Sequence, residues 1–212
     1  NNMLRRNKIK VTLINPRSAY PLLIDIHYAA RIPSISTAFG LFDNDDRLEG
    51  VCTFGTPLST TLQRGICGED YAKFVLELNR LCLRNNKKNM ASFFISAAMK
   101  ILGNKIIVSY ADTAQNHLGT VYQATNFIYT GLSTKFTDWA LHGDNRHQAS
   151  IGDEFRGQKQ RLQKLKDKYG DRLYSVERSR KHRYIKFIGD KRFCKTAKKN
   201  LKYKTEKYPK NI

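Results

Sequence analysis

The sequence predicts an α/β (α+β) fold: a mixed central sheet flanked by helices, with a basic C-terminal extension of helix and hairpin. Three observations predict it. Runs in which apolar residues alternate with period two are interleaved with runs of helical period. Turn-forming residues fall between them. Positive charge is concentrated after Glu154, where 21 basic residues meet 5 acidic ones, against 17 and 13 before it. With 212 residues, 41% of them hydrophobic, the chain can close a core but has room for little more than one domain and an extension. The expected boundaries are 1–154 for the body and 155–212 for the extension.

Each element has its local reason. KIKVTLINP alternates and ends at Pro16, a strand; SAYPLLIDIHYAARIP reads as a helix stopped by Pro33. TAFGLFDNDDRLEGVCTFGTP places two apolar runs around Asp43, Asn44, Asp45 and Asp46, a hairpin. KFVLELNRLCLRN is a strand with Leu76, Leu78, Leu81 and Leu83 as core candidates, and its alternation breaks between Asn79 and Leu81, which predicts a bulge. ASFFISAAMKILG is a helix with Phe93, Ile95, Ala98, Met99 and Leu102 apolar and Gly103 closing it. KIIVSYAD is a buried strand, NHLGTVYQATN a short helix and FIYTGL a further strand. In the extension, GQKQRLQKLKDKYG reads as an exposed amphipathic helix striped by Leu162, Leu165 and Tyr169. RLYSVE and HRYIKFIG read as a two-stranded hairpin, and KRFCKTAKKNLKYKTEKYPK as a short helix and basic tail.

A net charge of +20 makes a polyanion the expected partner. In the extension Tyr169, Tyr174, Tyr184, Phe187, Phe193, Tyr203 and Tyr208 are interleaved with cations, which suits phosphates and unstacked bases together. The cations expected to bind nucleic acid are Arg161, Lys164, Arg178, Arg180, Lys181, Arg183, Lys186, Lys191 and Arg192; a merely solvated charged face is the alternative. Helix-turn-helix, zinc-finger and RRM signatures are missing from this segment, so contact with the backbone should outweigh base readout. Cys52, Cys67, Cys82 and Cys194 are too irregularly spaced for a zinc or disulfide framework and read as reduced, mostly buried thiols. The start carries no apolar leader and no apolar run approaches the length of a membrane span, so a soluble, unexported protein with no membrane partner is expected. His142 and His147, with Asp138 and Asp144 nearby, are too loosely spaced to predict a metal, and none is expected.

One loop has the chemistry of an anion site. Between the LELNRLCL strand and the SFFISAAMKIL helix, Arg84, Lys87, Lys88 and Asn89 crowd a helix start, with Ser92 as a possible cap. A phosphate-bearing donor suits it; an ordinary charged loop is the alternative.

The order of elements, with the stretch from Asp43 to Gly131, resembles the GNAT acyltransferase superfamily. DRLEGVCTFGTP resembles the hairpin before its donor-binding strand and helix, and VSYADTAQNHLGTVYQATNFIYTG its next strand, helix and strand. Asn116, Tyr122 and Phe127 stand where that superfamily often has Asn, Tyr and Phe, and the resemblance makes Asn116 a further donor-binding candidate. The superfamily's glycine-rich pyrophosphate loop has no counterpart in RNNKKNMAS.

IHYAARIP, GVCTFGTP, ELNRLCL with the SFF helix, SYADTAQNHLGTVYQATNFIYTG, RKHRYIKF and KYPK resemble, in this order, the Mom family of bacteriophage DNA-modification proteins, themselves GNAT-like. The resemblance implies a phage enzyme, acting in the cytoplasm of the infected bacterium, that converts adenine in DNA to its carbamoylmethyl derivative on the exocyclic nitrogen and so protects the DNA from restriction. It maps functional positions onto His27, Tyr28, Arg80, Ser92, Asp112 and Tyr122. Arg80 would hold a donor carbonyl, a phosphate or Asp112, or pair structurally with a neighbour such as Glu77. Asp112 would serve as base toward the adenine amine or cap the next helix. Tyr122 would return a proton to the leaving atom or pack in the core. Tyr28 would stack on a flipped base, with Phe39 and Tyr129 as lesser candidates; His27 would contact phosphate or shuttle a proton, or be a satisfied structural histidine. Ser92 would bind a donor oxygen or cap its helix.

The carbamoylmethyl group needs two carbons, an oxygen and a nitrogen, the inventory of a glycyl unit. The expected donor is therefore glycyl-tRNA, or acetyl-CoA with a separate nitrogen source; the partners are double-stranded DNA and, for the first donor, tRNA. Two other classes remain: a non-catalytic nucleic-acid-binding phage protein on a GNAT-like core, and a conventional acetyl-CoA-dependent acetyltransferase.

Overall fold

The computed structural model describes residues 4–6, 9–27, 32–144, 151 and 154–210, and the chain divides into two compact units. The first comprises residues 1–111, 117–131 and 182–212; the second comprises 112–116 and 132–181.

The first unit is built on an eight-stranded sheet. Its strands are β1 (Leu4–Arg6), β2 (Ile9–Ile14), β3 (Thr37–Phe42), β4 (Leu48–Gly55), β5 (Val75–Leu83), β6 (Lys105–Asp112), β7 (Ile128–Leu132) and β10 (Lys181–Ile188). Their spatial order is β1-β2-β3-β4-β5-β6-β10-β7. The pairs β2–β3, β3–β4 and β4–β5 are antiparallel, and β5 and β6 are parallel. The mixed sheet flanked by helices is the expected one.

Alternation within the strands sends residues to two cores. On one face Ile107 of β6, Leu78 of β5 and Phe54 of β4 pack with Phe94, Ile95, Ala98 and Met99 of α3 (Met90–Ile101). The short helix α4 (Thr120–Ala124) adds Val121 and Tyr122 to the same core. On the other face Ile106 and Val108 of β6, Val75 of β5 and Ile185 of β10 meet Ile66 of α2 (Thr60–Cys67). A smaller cluster there joins Leu22 and Leu23 of α1 (Tyr20–Asp25) to Val51 and Cys82. The predicted first helix is thus shorter than its sequence pattern, a 3-10 turn at Pro16–Ala19 followed by α1. α2, capped by the Ser59 side chain accepting from Leu62 N, has no counterpart in the sequence reading. The cysteines are free, with Cys52, Cys67 and Cys82 buried.

The predicted bulge is real. Thr53 pairs with Arg80 and Phe54 with Leu78, leaving Asn79 as the extra residue in β5. The extra residue reverses the parity of the strand, so Leu76 and Leu78 before it, and Leu81 and Leu83 after it, all reach the α3 core.

The C-terminal expectations need correction. RLYSVE and HRYIKFIG do not pair with each other. The second is β10, inserted between β6 and β7, so the body does not end at residue 154. Its buried residues Tyr184 and Ile185 face the two cores, which a solvent-facing hairpin could not provide. The helix α6 (Lys191–Lys199), packed through Phe193 and Ala197, also belongs to the first unit. The basic tail is tied down as well. Lys202 N donates to Ile66 O (2.9 Å), Glu206 N to Tyr129 O (2.9 Å) and the Tyr208 hydroxyl to Phe127 O (2.5 Å). The Glu206 contact covers β7, which stands at the edge of the sheet, and the Tyr208 contact lies just before that strand.

In the second unit β8 (Phe136–Leu141) pairs antiparallel with β9 (Leu173–Arg178). The predicted amphipathic helix is α5 (Arg161–Tyr169); Leu165 is its buried residue, and Leu162 faces outward. The Tyr169 hydroxyl donates to the Glu154 carboxylate (2.6 Å), and Lys168 pairs with the same group (2.8 Å). Among the described residues no helix is long and apolar enough to cross a membrane.

Truncation after Asn200 removes those three tail hydrogen bonds, worth about 1 kcal/mol each, and uncovers the β7 edge. The expected outcome is a loss of about 3 kcal/mol in urea unfolding and a gain in aggregation by light scattering; an unchanged urea midpoint would show that the tail adds nothing to the fold.

Candidate active site

β5 and β6 pair only through Val75, Leu76 and Glu77 opposite Ile106, Ile107 and Val108. The buried Ser109 hydroxyl donates to Leu78 O (2.9 Å) just past that ladder, and the bulge at Asn79 follows. Parallel strands that lose their ladder at their carboxyl ends leave the crevice in which open α/β sheets hold ligands.

The bulge is fully organised. The Thr53 hydroxyl donates to Asn79 Oδ1 (2.6 Å), and Asn79 Nδ2 donates to Ser34 O (2.9 Å). That carbonyl lies against Gly55, where a Cβ would collide with it; the close approach requires glycine. The next residue is Arg80, whose Nη1 donates to Asn79 O (2.7 Å). Its guanidinium is thereby drawn to the bulge and not extended into solvent.

His27, just beyond α1, lies in the field of Arg80 and of His117. Burial first, then the charges of Arg80 and His117, push its pKa from 6.5 down to about 4. At neutral pH it is a neutral imidazole able to accept a proton or hydrogen bond, next to a permanent cation. His117, which no sequence pattern pointed to, stands in the loop entering α4. That loop is clamped: the Tyr184 hydroxyl and Gln123 Nε2 both donate to Leu118 O. Gly119, at φ +75°, packs against the Tyr184 ring. Tyr122 follows on α4, its ring between Phe127 and Tyr184 at 5.3 Å from each. The packing expected as the alternative for Tyr122 is therefore realised, and it fixes the ring.

Other expected site residues fall differently. Asp112 Oδ1 accepts from Ala114 N and from the Ser179 hydroxyl, both at 2.9 Å, and Lys181 Nζ lies 3.9 Å from Oδ2. It caps the turn that follows β6, the bland alternative, and its contacts are those of a structural carboxylate. Asn116 ends that turn in a left-handed conformation with its side chain exposed. Ser92 does not cap α3: its hydroxyl donates back to Asn89 O (3.0 Å), and Asn89 precedes the helix at φ 64°. Arg84 Nε is engaged by Leu48 O (3.2 Å), while Lys87 and Lys88 are exposed. Phe39 (0% exposed) and Tyr129 (6%) are core residues and cannot stack on a base; the Tyr129 hydroxyl is hydrogen-bonded to His182 Nδ1 (2.8 Å). Tyr28 and His147 lie outside the described residues. His142 stacks on Tyr174 with ring centroids 4.3 Å apart.

The expected nucleic-acid cations divide in the same way. Arg178 is bidentate to Asp138 (2.8 and 2.9 Å), and Arg180 donates to Ser133 O (2.7 Å). Arg183 donates to Thr130 and lies 3.6 Å over the Tyr203 ring, while Lys186 donates to Thr125 O (2.7 Å). Together with Lys181 beside Asp112, these five are structural. Lys164 donates to Gln158 (2.7 Å) from an exposed position, and Arg161 is half-buried at the start of α5. Lys191 and Arg192 are exposed on α6.

A model of the Mom protein family matches residues 8–210. The chain belongs to that family. The methylcarbamoylase Mom of Escherichia phage Mu is 29% identical over 213 residues, covering 96% of this chain and 84% of that protein. Solved structures with a similar course include Arabidopsis thaliana NAA60 in complex with acetyl-CoA (14% identity, TM-score 0.48, 85% of this chain and 99% of that one). A GNAT-family acetyltransferase from Bacillus cereus is similar at 12% identity and TM-score 0.45, over 86% of this chain and 99% of that one.

The depressed His27 pKa carries a stability consequence. Between pH 6.5 and about 4 the unfolded chain takes up a proton that the folded chain refuses. His27 thus favours the folded state fully above that window and progressively less as pH falls through it. The urea midpoint of the protein should drop more steeply from pH 6.5 to pH 4 than that of His27→Gln; parallel pH profiles would show that His27 is not held neutral by the fold.

Proposed function

We propose that this protein is a transferase that builds a carbamoylmethyl group on the exocyclic nitrogen of adenine in duplex DNA. One observation carries the reading: the Mom family match runs from residue 8 to residue 210. The relative bearing a methylcarbamoylase name aligns over nearly the same length. Site chemistry supports it. Adenine's amine is a poor nucleophile that must shed a proton as it attacks. Neutral His27 can accept that N–H, and Arg80 can stabilise the oxyanion that forms at an attacked carbonyl. Tyr122, oriented by Phe127 and Tyr184, returns a proton to the leaving oxygen.

The donor that balances without a further reagent is a glycyl ester of tRNA. Attack of the adenine nitrogen on the glycyl carbonyl forms the C–N bond and breaks the ester C–O bond, and the amine proton passes to the leaving ribose hydroxyl. The free glycyl amine then attacks C6 of the purine. The original C6–N bond breaks, and the displaced nitrogen becomes the terminal amide. Acetyl-CoA brings no nitrogen, so it would need a second donor and an oxidant at the methyl carbon. The adenine must leave the base stack to be reached, at a cost of a few kcal/mol.

Two measurements test this. With duplex DNA and tRNA charged with glycine labelled at its amine with heavy nitrogen, mass spectrometry of the digested nucleosides should find the label on the nitrogen attached to C6. Label in the terminal amide rules out the rearrangement, and product formed from acetyl-CoA without tRNA rules out the aminoacyl donor. Arg80→Lys keeps the charge but loses the fork; it should lower product formation by about a hundredfold, the scale of one oxyanion donor, with little change in thermal midpoint. Undiminished product would remove Arg80 from the chemistry.

A further inference from the structure

We infer that the outer face of α6 is the surface on which the phosphate backbone of duplex DNA docks. The inference rests on the proposed DNA substrate and narrows the extension expected to bind it to the one helix that carries Lys191 and Arg192.

α6 runs from Lys191 to Lys199 and reads KRFCKTAKK. At 100° per residue, Lys191, Arg192, Lys195, Lys198 and Lys199 fall within an arc of about 120°, centred opposite Phe193 and Ala197. All five are exposed. Phe193 and Ala197 hold the other side of the helix in the core under β6 and β10, with the Phe193 ring 4.9 Å from Phe74. The cationic face is thus fixed in orientation by the packing behind it.

Cations spaced three and four residues apart on one helix repel each other by a few tenths of a kcal/mol per pair. Here nothing in the sequence from Lys191 to Thr205 is acidic. Among the described residues none of Lys191, Lys195, Lys198 and Lys199 has an ion-pair partner. Five of the cations expected in the extension are used internally. This helix instead keeps its four lysines without an ion pair, Arg192 alone lying in the field of the Asp190 cap, and adds exposed Lys202 beyond its end. Eight residue steps at about 1.5 Å each make the face roughly 12 Å long, and one DNA strand advances about 3.4 Å per phosphate. The face therefore spans three to four phosphates of one strand.

Its placement suits the site. Beyond α6 the chain brings Tyr203 under the Arg183 guanidinium at 3.6 Å. Arg183, Tyr203 and Glu77 all lie in the electrostatic field of Tyr110, near the end of β6. Glu77 is the last β5 residue paired with β6 before the strands part. The carboxyl end of α6 and Lys202 thus lead toward the same end of the sheet as the bulge. A face of four lysines and a single arginine offers chiefly backbone attraction, with little base readout.

The test uses the full-length protein, a mixed-sequence duplex and a tRNA, with binding measured between 50 and 200 mM salt. Lys195→Gln, Lys198→Gln and Lys199→Gln are combined. The comparison protein carries Lys135→Gln, Lys159→Gln and Lys166→Gln, exposed lysines of the second unit. Three lost phosphate contacts should reduce the slope of log affinity against log salt by about 2.7. Over that fourfold salt range, the unaltered protein should then lose roughly 40-fold more duplex affinity than the α6 variant, and the comparison protein should behave like the unaltered one. Equal slopes for all three proteins, or equal losses in both variants, overturn the α6 assignment while leaving the proposed function standing. A change confined to tRNA binding also overturns it and gives the face to RNA. Absence of duplex binding by the unaltered protein defeats the DNA substrate and this inference together. If the triple variant does not fold by circular dichroism, Lys198→Gln alone should lower the slope by about 0.9, and an unchanged slope is the refuting result.

Discussion

The short life of the β5–β6 ladder is the constraint on which the rest of the site depends. Two parallel strands of nine and eight residues pair through three positions and then part. Leaving strand backbone unpaired is costly unless other groups take up its donors and acceptors. The Ser109 hydroxyl caps Leu78 O, the Thr53–Asn79–Ser34 chain satisfies the bulge, and Arg80 takes Asn79 O. Because Asn79 is extra, residues after it change sides. Leu81 and Leu83 stay in the α3 core while Cys82 turns to the α1 cluster. A single inserted polar residue thus keeps both faces of β5 buried and puts a guanidinium where the sheet opens.

This much was legible in the sequence, because a bulge breaks a local period and the break can be read directly between Asn79 and Leu81. The insertion of β10 was not. Its partners β6 and β7 lie far back in the chain, and an alternating segment says which of its faces is buried without saying what it pairs with. The nearest alternating neighbour, RLYSVE, was therefore the natural partner by proximity, and the second unit's strand β8 was missed with it. α2 escaped for a different reason: Leu62 and Ile66 are one i, i+4 pair in eight residues, too few to set a period.

Charge was the least reliable guide to individual residues, and the reason is physical. Arg and Lys carry long apolar stems and several donors, so a cation near a strand end is readily recruited to a carbonyl or an aromatic face. Arg183 over Tyr203, Lys186 on Thr125 O and Arg180 on Ser133 O are all of this kind. Composition correctly reports an excess of positive charge, but not which cations remain available after folding. The helical arc of α6 is the exception, since its periodicity assigns a side to every residue before any tertiary contact is known.

The same distinction governs the chemistry. The family resemblance singled out Asp112 as a base, yet it ends a strand, where turns need caps, and Ala114 N and Ser179 take up its oxygen. For His27, burial and the charges of Arg80 and His117 keep the imidazole unprotonated down to about pH 4. A base of that strength cannot hold a proton in water at neutral pH, but it need not. In the proposed reaction the adenine amine becomes acidic only as its nitrogen gains positive character in attack, so a weak base that is always in its accepting form would relay the proton at that moment. In the proposed reaction Arg80, whose charge adds to burial in lowering the basicity of His27, would stabilise the oxygen that turns negative in the same step. Burial does most to lower the His27 pKa and the Arg80 charge adds to it, so in the proposed reaction the guanidinium held at the Asn79 bulge would act on both the base and the developing anion.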